Sequence, residues 1–123
     1  MFDYSDGVKE HALNPRNVGL LENADGVGTE GTPGSGPFME ISVQIRCGVV
    51  SEIAFRTYGC GAAIASCSKL TDMVKGKPAS EALSVTPAML LEALGGLPLG
   101  KRHCPEMAIS ALRKALIGDQ MGK

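Results

Sequence analysis

The chain's soft and borderline donor atoms belong to four cysteines, Cys47, Cys60, Cys67 and Cys104, and two histidines, His11 and His103. Cys60 stands in Tyr58-Gly59-Cys60-Gly61-Ala62, between two glycines, where a strand-like run gives way to a helix-like one. Cys104 closes Leu97-Pro98-Leu99-Gly100-Lys101-Arg102-His103-Cys104, directly before Pro105. Both spacings predict a thiol immediately before a helix. Backbone N–H groups there lack partners and the macrodipole is positive, so the thiolate is favoured. Lys101, Arg102 and His103 further favour an anion at Cys104, and the glycines around Cys60 leave room for a metal or a partner's sulfur. Cys, His and Cys suit zinc or iron. Adjacent His-Cys pairs also arise by chance, so the spacing alone leaves both ligation and ordinary thiols open. No C-x-x-C pair is present, which removes the zinc ribbon and the thioredoxin-type motif.

Other residues carry weaker expectations. Cys67 follows Cys60 by seven positions, a rise of roughly 10.5 Å on a regular helix. Sulfurs sharing one zinc lie about 4 Å apart. Cys67 therefore reads first as a packed core thiol and second as an auxiliary ligand or thiol. Cys47 falls in a hairpin turn with no metal role. Ser35 is most simply a loop residue, with a weak or water-mediated ligand role as the alternative. His11, shortly before Asn14-Pro15, reads as a surface or capping residue. Arg16 and Asn17 are expected to fix the following loop through backbone hydrogen bonds. Lys101-Arg102 is either an ordinary solvated loop or a patch that steers an acidic partner and lowers the Cys104 pKa.

The elements that must position these groups follow from periodicity. Residues 3 to 13 predict a helix, capped by Asp3 or Ser5 and ended by Asn14-Pro15. Residues 17 to 37 are glycine-rich and predict a long loop, with a short edge strand near Val18–Leu21 or Val27–Thr29. From Phe38 to Arg46, Met39, Ile41, Val43 and Ile45 alternate with polar residues, as in a half-buried strand. Cys47-Gly48 makes a tight turn, and Val49 to Tyr58 returns as a second strand. Ala62 to Lys75 predicts a helix with a stripe of Ala63, Cys67, Leu70 and Val74, stopped by Gly76. Pro78 to Leu83 gives a helical turn. Thr86-Pro87 opens a helix to Leu94. Pro105 opens a last helix through about Ile117, whose methionines face the core. Strands first and helices after predict an α+β fold: a small, about three-stranded antiparallel sheet with helices packed on one face.

Length and composition agree. The 123 residues suit one domain over 1–123, and a 44% hydrophobic content with 4% aromatics implies an aliphatic core. A net charge of −1 gives no footprint for nucleic acid. No apolar run is long enough for a membrane span. The first residues have no basic segment before an apolar one, so a cytoplasmic protein is expected. In that compartment four cysteines favour metal or thiol chemistry over disulfides.

Several separated stretches resemble, in order and over nearly the whole chain, the IscU/NifU-type scaffolds on which iron–sulfur clusters are assembled. They are His11-Ala-Leu-Asn-Pro-Arg-Asn-Val-Gly19, Thr57-Tyr-Gly-Cys-Gly-Ala-Ala-Ile-Ala-Ser66, Val74-Lys-Gly-Lys77 and Leu97-Pro-Leu-Gly-Lys-Arg-His-Cys104. The resemblance implies a three-stranded antiparallel sheet with helices against it. It implies sulfur accepted as a persulfide from a cysteine desulfurase, iron taken up, and a [2Fe–2S] cluster built and handed to recipient apo-proteins. By position, Cys104 matches the persulfide acceptor and a cluster ligand, Cys60 a second cysteine ligand, and His103 the histidine ligand. Zinc is the alternative occupant. Two family ligands are missing: the usual Ala-Cys-Gly-Asp is Gly34-Ser35-Gly36-Pro37 here, so Ser35 replaces a cysteine and Pro37 an aspartate. Three protein ligands then remain, open at the fourth position. The family's Leu-Pro-Pro-Val-Lys is Leu97-Pro98-Leu99-Gly100-Lys101, which argues against the usual Hsp70-type chaperone. Two other functions stay open: a zinc- or thiol-based persulfide sulfurtransferase, and a non-assembling regulatory paralogue that binds the desulfurase.

Overall fold

The structure is a computed structural model that describes residues 4–121, with side chains to residue 117. Asp3, one of the two expected caps, lies outside the described residues. Three strands, β1 (Gly26–Gly31), β2 (Phe38–Arg46) and β3 (Val49–Tyr58), form one antiparallel sheet in the order β1-β2-β3. Around it lie α1 (Asp6–Leu13), α2 (Gly61–Val74), α3 (Ala79–Leu83), α4 (Pro87–Leu94) and α5 (His103–Met121), with a short 3₁₀ turn at Leu99–Lys101.

The central hairpin has the bounds its alternation predicts. Arg46 pairs with Val49 across Cys47-Gly48, whose φ angles of +54° and +77° are those of a primed turn. β1 settles the edge strand at the second of the two expected places, and Val18 makes only a single parallel bridge to Phe55. One expectation is corrected. β2 is not half-buried by face: Met39, Ile41 and Val43 are buried as predicted, but so are Phe38 and Ser42 on the other face. The loop before β1 crosses that face, the Leu21 N–H donating to Ser42 Oγ at 3.2 Å, and the Phe38 ring stacks on Tyr58 at 5.6 Å.

α5 runs along β1 and β2, and α2 lies against β3 and α5. The crossing of α5 over β1 is close: a Cβ on Gly28 would stand 2.6 Å from the Ala115 nitrogen and 2.8 Å from Lys114 Cβ. The core between sheet and helices is aliphatic, with Leu70, Leu90, Leu112 and Leu116 buried against Phe55 and Ile41. Thr86 caps α4 through its side chain, with Pro87 in the first turn, and Gly95 closes it in the left-handed conformation at φ +85°.

The outer edge of β3 is covered at two points. Phe55 donates to the Asn17 carbonyl at 2.9 Å and accepts from Gly19 at 2.8 Å, while Val50 donates to the Lys77 carbonyl at 2.9 Å. Asn17, at φ +62°, makes the turn that brings the loop alongside. Among the described residues no helix is long and apolar enough to cross a membrane.

Candidate metal and sulfur site

The sheet's geometry collects the expected residues at one end. Phe38 pairs with Tyr58, so the loop carrying Ser35 and the segment carrying Cys60 leave the sheet at the same end. Cys60 is the N-cap of α2, with an extended backbone at φ −82° and ψ 178°, as the flanking glycines imply. Gly61 does not leave open room: a Cβ there would meet Ala12 Cβ at 3.7 Å and the Tyr4 ring at 3.9 Å. The space beside Cys60 belongs to the N-terminal segment, not to solvent alone.

Cys104 comes from the far end of the chain and reaches the same point. Its thiol lies close enough to Cys60 for Cys60 to perturb its ionisation, which brings together two thiols separated by 44 residues (104 − 60). His103 Nε2 lies 3.7 Å from Cys104 Sγ, and the His103 side chain is exposed. Lys101 completes the group with a hydrogen bond to Cys60.

The two thiols have opposite electrostatics. Burial pushes the Cys60 thiol up, but the nearby Ala63 and Ala62 N–H groups and the Lys101 ammonium outweigh it and hold the thiol below its ordinary value, although no side-chain hydrogen bond from Cys60 caps the helix. Cys60 is therefore the more readily ionised of the two thiols, in the direction expected at a helix N-terminus. Cys104 overturns the matching expectation. Burial, aided by the neighbouring Cys60 charge and opposed by Lys101, pushes its thiol up to about 11. The reason is placement: α5 begins at His103, not at Pro105, so Cys104 is inside the first turn and only 2% exposed. Lys101 serves Cys60 rather than Cys104 alone, and Arg102 braces the connector by donating to the Leu97 carbonyl at 3.1 Å.

Cys67 is fully buried in the core, as the first reading has it, and burial drives its thiol far above the ordinary value, with Cys104 the second cause. Cys47 is exposed in the hairpin turn. Ser35 sits in an exposed turn, its N–H bonded to the Thr32 carbonyl at 3.0 Å.

His11 corrects a second expectation. It is 7% exposed, not a surface residue, because α1 packs on α2 and turns this side chain inward. Its Nδ1 is 2.7 Å from Ser68 Oγ, which also accepts the Arg16 N–H at 2.9 Å. Asn17 Nδ2 donates to Thr71 Oγ1 at 3.1 Å. Arg16 and Asn17 thus fix the loop partly through α2 side chains and not through backbone bonds alone.

Tyr4 is the site residue that sequence reasoning missed. Its hydroxyl is hydrogen-bonded with Cys60, and burial followed by the Cys60 charge raises its pKa. Nothing local marks it. Ser5 positions it, capping α1 by accepting from the Val8 N–H and donating to the Leu94 carbonyl at 2.5 Å.

Two sulfurs and an imidazole are a donor set that fits zinc or iron. Among the described residues, no group of three or more His, Cys, Asp or Glu side chains stands ready to hold a metal ion. The exposed His103 ring lies beside Cys104, and Cys104 neighbours Cys60.

The family model of the NifU-like N terminal domain matches residues 3–121. The chain is 50% identical over 114 residues to iron-sulfur cluster assembly scaffold protein IscU 1 of Archaeoglobus fulgidus, covering 93% of this chain and 74% of the relative. It is 45% identical to the scaffold protein IscU of Aquifex aeolicus, covering 94% and 74%. It is 41% identical to IscU of Haemophilus influenzae, covering 98% and 97%. In fold it resembles the crystal structure of a nitrogen-fixing NifU-like protein (N-terminal) from Brucella abortus, with a TM-score of 0.72, 20% identity and coverage of 97% and 95%. A cysteine at the N-cap of α2, a buried thiol near it from α5 and the extent of these matches lead to one assignment: the chain belongs to the NifU-like N-terminal domain family of IscU/NifU type.

Proposed function

We propose that this chain is an iron–sulfur cluster assembly scaffold, a carrier rather than an enzyme. One observation carries the reading: the thiols of Cys60 and Cys104 are neighbours at the starts of two helices, with the His103 imidazole 3.7 Å from Cys104 Sγ. The relatives' names supply the class of cargo.

In this reading a cysteine desulfurase delivers sulfur as a persulfide to Cys104, iron joins it, and recipient apo-proteins take the finished [2Fe–2S] cargo. Cys60, His103 and Cys104 hold the iron. Zinc fits the same donors and is the alternative occupant. The α2 N-terminus and Lys101 lower the Cys60 pKa, which reduces the cost of deprotonating a ligand as metal enters. Cys104 must lose its proton on ligation, and the metal's own charge drives that loss. Neither Ser35 nor Pro37 offers a thiolate or carboxylate, so the fourth position stays open to a partner's thiol or to sulfide. An open position suits transfer.

The test is anaerobic reconstitution with ferrous iron and sulfide, measuring bound iron, bound sulfide and visible absorbance. The intact chain should take up both. Cys60→Ala and Cys104→Ala should abolish the uptake, and His103→Ala should weaken it. If the intact protein binds neither iron nor zinc, or if the double cysteine variant binds iron as well as the parent, the reading fails.

A further inference from the structure

The packed helices leave a second apolar surface at the end of α2 away from the thiols. Cys60 caps the start of α2, and Met73 stands 13 positions on (73 − 60), a rise of roughly 19.5 Å. Two hollows open there, one of about 230 Å³ among α2, α3 and α4 and one of about 400 Å³ between α2 and α4. Met73 and Met89 line both, so the two form one groove. The buried Val74 and Val85 make part of its wall. α4 turns Leu90 and Leu94 into the core and leaves Met89 47% exposed. Methionine is unbranched and polarizable, and it recurs on surfaces that accept apolar partners of varied shape.

The rim of the groove is acidic. Glu81 lines one hollow and Glu92 the other. Among the described residues neither carboxylate enters an ion pair or a hydrogen bond. Lys77 is the one cation lining the groove among the described residues, so two carboxylates stand against one ammonium.

We infer that this groove docks a basic amphipathic helix of another protein, its apolar stripe on Met73 and Met89 and its lysines or arginines over Glu81 and Glu92. Apolar side chains four positions apart on such a helix lie roughly 6 Å apart along its axis, so successive ones enter the two hollows. Burial of the stripe supplies affinity, and the two carboxylates select a cationic flank over an anionic one. A second copy of this chain is the poorer occupant. The arginine and lysine described on its longest helix, α5, are already committed, Arg113 to the Val85 carbonyl at 3.3 Å and Lys114 to Glu30. A partner seated here leaves the starts of α2 and α5 uncovered. The inference stands apart from the scaffold reading; joined to it, the groove is where a protein holds the chain while the metal site stays open to exchange.

The full chain, with carbon-13 in the methyl groups of its 6 methionines, is titrated with a synthetic peptide amide of about 18 residues. The peptide places leucines three and four positions apart on one helix face and lysines on both flanks. The Met73 and Met89 signals, assigned with Met73→Leu and Met89→Leu, should shift and saturate, while that of the buried Met39 stays in place. The same peptide with glutamates for its lysines should shift neither. Glu81→Lys combined with Glu92→Lys should weaken binding about tenfold. Both side chains are exposed, so this variant keeps its fold, and its thermal unfolding checks that it does. Absence of a saturable shift at Met73 and Met89 overturns the inference, as do equal shifts with the glutamate peptide or undiminished binding by the charge-reversed chain. A mass that doubles with concentration in sedimentation equilibrium, and returns to one chain in the charge-reversed variant, gives the groove to a second copy and overturns it as well. Iron and sulfide uptake is read separately: peptide binding by a chain that takes up neither supports the groove and rejects the scaffold reading.

Discussion

Gly28→Ala should be among the most damaging small substitutions in this chain, although it adds one methyl group to an edge strand. Gly28 lies where α5 crosses β1, and a Cβ there would fall 2.6 Å from the Ala115 nitrogen and 2.8 Å from Lys114 Cβ, with the Ala111 carbonyl closer still. Ordinary contact needs about 3.5 Å, so helix and strand must part by roughly 1.5 Å to clear the Ala111 carbonyl. Two of the opposing groups are helix backbone, which cannot turn aside. Overpacking of this kind costs about 1–3 kcal/mol, occasionally more, and the rigid contact places this case near about 3 kcal/mol at the top of that span. Alanine restricts the unfolded chain more than glycine does, which returns about 0.4–1 kcal/mol. The net loss is about 2 kcal/mol, or about 1 M in urea midpoint at a slope of about 2 kcal/mol per M. Gly100→Ala is the control, because a Cβ there meets nothing within 4 Å, and it should move stability by less than about 0.5 kcal/mol. Equilibrium urea unfolding followed by circular dichroism reads both. A Gly28→Ala midpoint indistinguishable from that of Gly100→Ala would refute the close crossing.

Two further outcomes follow from the titrating groups. Under iodoacetamide at neutral pH, mass mapping should find Cys60 modified well before Cys104 and Cys67 unmodified until the chain unfolds. Lys101→Met should slow the Cys60 reaction and move its pH profile upward; an unchanged profile removes Lys101 from the site. Burial, then Arg16, lowers the His11 pKa from its ordinary 6.5, so the unfolded chain takes up this proton before the folded one does. Its contribution to stability is whole above 6.5 and declines as pH falls below it. The urea midpoint should therefore drop between about pH 7 and about pH 5, and His11→Gln should flatten that drop. A steeper slope in the variant contradicts the buried neutral ring.

The parts of the fold governed by local rules were legible in the residues. Alternation from Phe38 to Ile45 and the Cys47-Gly48 turn marked both long strands and their antiparallel pairing, though not the register shift at Gln44/Ile45, and Thr86-Pro87 marked α4. β1 was less legible because Gly26, Gly28 and Gly31 carry no pattern; those glycines answer to the helix above them. α5 started two residues before the expected place. Proline is tolerated anywhere in a first turn, where no N–H partner is needed, so Pro105 marks the turn and not its first residue. That small shift moved Cys104 from a loop into a buried turn and reversed its charge state. Helix position could be read from sequence, but burial could not. Tyr4 and His11 were hidden for the same reason, since both owe their roles to α1 packing on α2.

Covering the edge of β3 has a consequence for behaviour in concentrated solution. A ten-residue strand with bare backbone groups invites lateral growth by a neighbour's strand. Here Asn17, Gly19 and Lys77 occupy those groups on Phe55 and Val50, and Pro78 follows without an N–H to extend the ladder. The chain therefore fences its longest strand with its own loops, and self-association by sheet extension is directed away from that side of the molecule.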